Sequence, residues 1–146
     1  MADWKENLLE DDARIGALVK SARRVAVLGI KTEEKSDQAA YYVAKFVADH
    51  GGEVIPVPVF YPDLTEIMGK KVYRKVADVP GELDLVDVFR RPADIPAHLE
   101  DLLAKRPRAV WFQLGIRNDA AAERLARAGI LVVQDRCLKV EWGRFR

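Results

Sequence analysis

Little in this chain supports chemistry by cysteine, histidine or a bound metal. Of 146 residues one is cysteine, Cys137, and two are histidine, His50 and His98. A lone cysteine excludes an internal disulfide and fits a reducing compartment. Scattered this way, the three residues also lack the ligand spacing of a zinc site. Cys137 follows Arg136, which favours a thiolate, but nucleophilic catalysis also needs a general base, and both histidines fall in expected helices. No charge dominates either: 24 basic against 23 acidic side chains leave a formal net charge of +1. A broad nucleic-acid or anionic membrane surface needs a clear basic excess, so neither partner is expected. No apolar run reaches bilayer length, and the opening ADWKENLLEDDAR lacks the charged start and apolar middle of a signal peptide. The expectation is a cytoplasmic protein. Absent too are the G-x-G-x-x-G fingerprint and the P-loop lysine motif.

What the chain does contain is an alternation. The segments RRVAVLGI (23–30), GEVIPVPVF (52–60), LDLVDVF (83–89), RAVWFQLGI (108–116) and GILVVQD (129–135) are short, mostly apolar and rich in β-branched or aromatic residues, as strands buried on both faces are. Helical patterns lie between them. Residues 39–50 place Ala40, Val43, Ala44 and Val47 on one side, with SDQ ahead as a cap and HGG behind as a stop. PAHLEDLLAKR (96–106) repeats the pattern behind Pro96, and NDAAAERLARAG (118–129) carries Asn118 as its cap and Gly129 past its end. Residues 8–21 read as a further packing helix with Leu9, Ile15, Leu18 and Val19 inward, although Gly16 weakens it. Strand–helix alternation requires right-handed crossovers and parallel pairing. The fold class is therefore α/β, an open, doubly wound, mainly parallel sheet of five or six strands with helices on both faces. The expected organisation is one domain over 1–146, residues 1–22 forming an N-terminal helical extension.

In such a sheet ligands bind beyond the carboxyl ends of the strands, where the winding direction reverses. After the first strand, Gly29 permits a tight exit, and a helix starting near Gln38 would turn unpaired N–H groups toward the same crevice. After the second, Pro56, Pro58 and Pro62 offer rigid apolar edges that suit a base, or merely close the sheet edge. After the third, Phe89 supplies a flat surface, and Arg90 and Arg91 point opposite ways, so one of them can reach a phosphate in fork geometry. The alternative is a surface arginine pair bonded to local carboxylates, with Asp84 and Asp87 nearest in sequence. Gln113 and Gly115 follow the fourth strand, placed either for an amide-rich ligand or to cap the next helix.

In order, AVLGI, YYVAKFVADHGGEVIPV, EIMGKKVY, VDVFRRPADIP, VWFQLGI and VVQDRCLKVE resemble the CoA-binding-domain family of small bacterial and archaeal proteins, over residues 15–146. That family is similar to the CoA-binding domain of the succinyl-CoA synthetase alpha subunit, a Rossmann-like sheet. The resemblance implies coenzyme A as the ligand. Gly29, Ile30 and Lys31 would line the phosphate loop, and Val57 and Pro58 would flank adenine and ribose. Phe89, Arg90, Pro92 and Ile95 match a loop lying on the ligand, Lys71 matches a lysine after a turn, and Gln113, Gly115 and Ile116 match a loop on the pantetheine side. KSDQAA stands where many relatives carry a basic residue, leaving Lys31 or Lys35 as the cation there. The synthetases' second domain and phosphorylated histidine have no counterpart in this sequence. The expected function is therefore binding of CoA or a short acyl-CoA without catalysis. An enzyme or sensor for NAD(P) or another nucleotide in the same crevice is the alternative, and a protein partner or a second copy of the chain stays open.

Overall fold

Seven strands and five α-helices follow one another in a computed structural model that describes residues 3–146; the first two positions of the expected extension lie outside the described residues. In chain order these are α1 (Asp12–Ser21), β1 (Arg24–Leu28), α2 (Ala39–Asp49), β2 (Glu53–Val57), β3 (Glu66–Ile67), β4 (Lys70–Lys71), β5 (Leu85–Val88), α3 (Leu99–Lys105), β6 (Ala109–Phe112), α4 (Asp119–Arg127), β7 (Leu131–Val133) and α5 (Leu138–Phe145). Five strands form one parallel sheet in the order β2-β1-β5-β6-β7, while β3 and β4 make a separate antiparallel hairpin. The expected Rossmann-like doubly wound fold is therefore present.

Strand periodicity divides the core. Val25, Val27, Leu85 and Trp111 face α1, α2 and α5, and Ala26, Leu28, Val86, Val88 and Phe112 face α3 and α4. Covered on both sides, these strands have no polar face to show in the sequence. Gly16 has a packing reason to stand inside α1. A Cβ there would lie 2.8 Å from the Phe145 ring of α5, so its absence lets the two helices meet.

Three sequence expectations change. The helix read over 8–21 starts only at Asp12, because the Asp11 carboxylate accepts the Arg14 N–H at 2.9 Å; ahead of it Leu8 bridges Val132 in parallel and covers the β7 edge. At α2 no side chain of SDQ caps the helix. Residues 92–98 form a 3-10 helix, so α3 proper begins after Pro96 rather than with it.

Asp87 interrupts this apolar core. It sits on β5 between Val27 and Trp111, fully buried, and among the described residues neither carboxylate oxygen has a hydrogen-bond partner. Burial pushes its pKa well above the ordinary 3.8, so the native state favours the protonated acid. The stability this confers is fully present below about pH 3.8 and is lost as pH rises toward the raised native value. Asp87→Asn, neutral at every pH, is expected to match the parent under acid and to exceed its stability by about 1 kcal/mol or more near pH 7. Urea unfolding across that range reads the gap directly, and parallel curves would disprove it.

Candidate functional site

The chain runs from β1 to β2 on one side of the sheet, then returns to β5 on the other side of β1, so the winding reverses between β1 and β5. Their carboxyl ends are stitched together. The Gly29 N–H donates to the Val57 carbonyl at 2.9 Å, and the Phe89 N–H donates to the Leu28 carbonyl at 2.9 Å. Gly29 has φ +89, and a Cβ on it would fall 2.4 Å from the Phe89 carbonyl oxygen. Only glycine allows so close a crossing of two strand exits. The crossing sets Lys31 and Arg90 on the walls of one hollow of about 460 Å³.

The hollow is cationic. Lys31, Arg90 and Arg91 line it against a single carboxylate, Asp94. The two arginines diverge, with side chains 19% and 85% exposed, as alternation at a strand end requires. Their carboxylate is neither Asp84, which accepts the backbone N–H groups of Arg23 and Arg24, nor the buried Asp87. It is Asp94, held by Arg91 Nε at 2.8 Å, with Arg90 Nη2 at 3.7 Å. The Arg91 hydrogen bond holds the Asp94 carboxyl below its usual range. Arg90 Nε donates to His98 Nε2 at 3.2 Å.

The remaining wall is aromatic. Phe89 is half-buried, and Phe60, 54% exposed, places its ring 4.5 Å from Lys31 Nζ and 5.8 Å from the Arg90 guanidinium carbon. Both fall within cation–π range. Arg74 fixes the loop that carries Phe60 by donating to the carbonyls of Phe60, Tyr61 and Leu64 at 3.1, 2.7 and 2.7 Å. Behind the hollow, the Lys31 N–H donates to the Ala40 carbonyl at 3.1 Å, tying the β1 exit to the first turn of α2.

Of the residues expected from sequence, Gly29, Lys31, Phe89 and Arg90 line this hollow together. Ile30, Val57 and Ile95 do not: all three are buried in the core, and Pro58 is buried as well, not an exposed edge for a base. Ile30 packs in the core half under α1, α2 and α5, and Val57 and Ile95 in the half under α3 and α4. Lys71 sits on the β3–β4 hairpin beside Pro56 and Tyr73, in a different hollow along the β2 edge. Pro92 is exposed at the start of the 3-10 helix, its carbonyl accepting from Asn118 Nδ2 at 2.9 Å. Gln113 is buried and accepts the Leu138 N–H at 3.3 Å. Gly115 donates its N–H to Asp135, and Ile116 packs on the α3/α4 face, so this loop belongs to the β6–β7 end. Sequence reading missed Phe60, Asp94 and His98 as site residues. The three- and four-residue spacing of Asp94 from Arg91 and Arg90 was a legible signal; nothing local marked the other two.

A second hollow of about 390 Å³ lies at the β7 end, between Arg117 and Arg136. Its cations are engaged, Arg117 with Asp119 at 3.0 Å and Arg136 with Asp12 at 3.0 Å. Among the described residues no three His, Cys, Asp or Glu side chains gather into a metal cluster, and no helix is long and apolar enough to cross a membrane.

A parallel, doubly wound sheet with a cation-lined crevice at its winding reversal defines a Rossmann-like α/β protein suited to anionic ligands. The chain belongs to the CoA binding domain family, which it matches over residues 23–143. It is 32% identical over 128 residues to the uncharacterized protein YneT of Bacillus subtilis (strain 168), covering 88% of this chain and 91% of that one. A structure from Thermus thermophilus superposes with a TM-score of 0.84 at 35% identity, over 94% of this chain and 100% of that one. A hypothetical protein from Pyrococcus horikoshii OT3 does so at 0.82 and 29%, over 93% and 92%. Family membership supports a CoA-related role.

Proposed function

We propose that this protein binds CoA or a short acyl-CoA in the β1/β5 hollow, as a cytoplasmic CoA-binding module without catalysis of its own. One observation carries the reading beyond family membership: Lys31 and Arg90 converge on an exposed aromatic ring at the winding reversal. Phosphates would meet the two cations, with Arg90 supplying fork geometry. The adenine would lie against Phe60 or Phe89, in the place the sequence reading gave to Pro58. The whole chain acts as one binding unit on this view, its N-terminal segment serving to cover the β7 edge.

A dinucleotide reading is weaker. Ribose recognition in NAD sites uses an acid at the end of the second strand. Here that end is the buried Val57 and Pro58, and the carboxylate lining the hollow, Asp94, comes from the loop after β5 and is held by Arg91. Thermal unfolding with CoA, acetyl-CoA, NAD and NADP side by side separates the possibilities, because a ligand that prefers the native state stabilises it by about 2.7 kcal/mol at a hundredfold excess over Kd. CoA or acetyl-CoA is expected to raise the melting temperature and the dinucleotides to leave it unchanged. No response to either CoA species would overturn the proposal.

A further inference from the structure

We infer that His98 is a positioning residue for the binding hollow: its neutral imidazole accepts the Arg90 Nε–H and thereby aims the outer guanidinium nitrogens at the ligand, and a proton on Nε2 releases the arginine. The effect on ligand binding rests on the CoA reading; the coupling of the two side chains does not.

Among the described residues, the hydrogen bond of the Arg90 side chain is made on its inner side, to His98. Its stem runs over Gly29, with Cδ 3.4 Å from the point a Cβ there would occupy. Nε carries a single hydrogen, and the His98 bond at 3.2 Å uses it, which sets the plane of the guanidinium. Asp94 cannot do this instead. Its carboxylate is held by Arg91 at 2.8 Å and stands 3.7 Å from Arg90 Nη2, beyond a hydrogen bond. The outer N–H groups of Arg90 are thus left for a ligand.

His98 ends the 3-10 helix that follows Arg91 and leads into α3. With its Nε2 lone pair directed at Arg90, its proton must reside on Nδ1. The charges around it are Arg90 and Asp94 from the loop after β5, Glu100 and Asp101 from α3, and Arg74 and Lys75 from the segment after β4. Asp101 already accepts the Val76 and Ala77 N–H groups at 2.7 and 2.8 Å. Burial first, and the Arg90 charge second, push the imidazole pKa below its ordinary 6.5. The bond is therefore present above about pH 6.5 and is lost as pH falls through the lowered native value. Protonated His98 would repel Arg90 at close range. Its added charge lies behind the arginine, on the side lined by Arg74 and Asp101, so it does not replace the lost donor.

Two measurements test this. In the ligand-free protein, NMR titration of the histidine rings is expected to show His98 titrating below 6.5 and shifting upward in Arg90→Gln; an unchanged His98 would overturn the coupling. CoA affinity by calorimetry between pH 7.5 and 5 is then compared in the parent and His98→Gln, whose amide oxygen accepts the same N–H without titrating. Phosphate ionisation of the ligand is common to both, so the ratio of affinities isolates His98. That ratio is expected near one at pH 7.5 and to move progressively against the parent as pH falls below 6.5, with His98→Ala weak throughout. A ratio flat with pH overturns the inference. If no protein binds CoA at any pH, the functional reading fails, and the NMR arm still decides whether His98 holds Arg90.

Discussion

Arg90→Ala is expected to weaken CoA binding roughly ten- to a hundredfold, about 1.5–3 kcal/mol, the range for a charge-assisted hydrogen bond. Burial makes the effect larger than at its neighbour. Arg90 is 19% exposed and pre-aligned by His98, so little side-chain entropy remains to be lost when an anion arrives. Arg91 is 85% exposed and committed to Asp94, and Arg91→Ala is expected to change affinity by no more than a few-fold. Arg90→Lys should recover only part of the loss, because an ammonium offers no planar fork and has no Nε–H for His98. Calorimetry at fixed ionic strength reads all three variants. Equal affinity for the parent and Arg90→Ala would remove Arg90 from the site.

Gly29→Ala is expected to cost about 3 kcal/mol or more of folding stability and to abolish the hollow. Two terms add. A φ of +89 is unfavourable for any residue with a Cβ, by about 1–2 kcal/mol. The new methyl would also stand 2.4 Å from the Phe89 carbonyl oxygen and 3.2 Å from its carbon, and that carbonyl is backbone at the exit of β5. Relief requires the β1 and β5 ends to separate, carrying Lys31 and Arg90 apart. Gly115→Ala is the internal control. It has φ +83, but nothing lies within 4 Å of its added Cβ, so only the conformational term of about 1–2 kcal/mol applies. Urea unfolding of the two variants separates crowding from backbone preference, and equal losses would refute the crossing-strand account.

The element series was readable because each element announces itself locally. Asn118 caps α4 by accepting the Ala121 N–H at 3.1 Å, and Gly129 takes φ +86 just past the helix end, both where their residue types imply. The elements that escaped reading are those with weak local signals. α5 buries Leu138 and Trp142 on a turn-and-a-bit of chain and carries Gly143 near its end, too little periodicity to stand out. The β3–β4 hairpin is two residues a side, tied down by the distant Glu33, whose carboxylate accepts the Met68 N–H at 2.8 Å.

Order and type of the main strands and helices, and with them the place where the winding reverses, follow from patterns within a dozen residues of chain. So do Gly29 and Arg90 as residues of that place. Which side chains actually face the hollow does not follow, for a physical reason. A strand covered on both faces is apolar throughout, so Val57 at the end of β2 looks as available as Phe89 just past β5 until packing assigns it inward. Phe60 reaches Lys31 and Arg90 only because Arg74, fourteen residues away, gathers the carbonyls of its loop. Contacts of that kind belong to the assembled molecule, since no local preference encodes them.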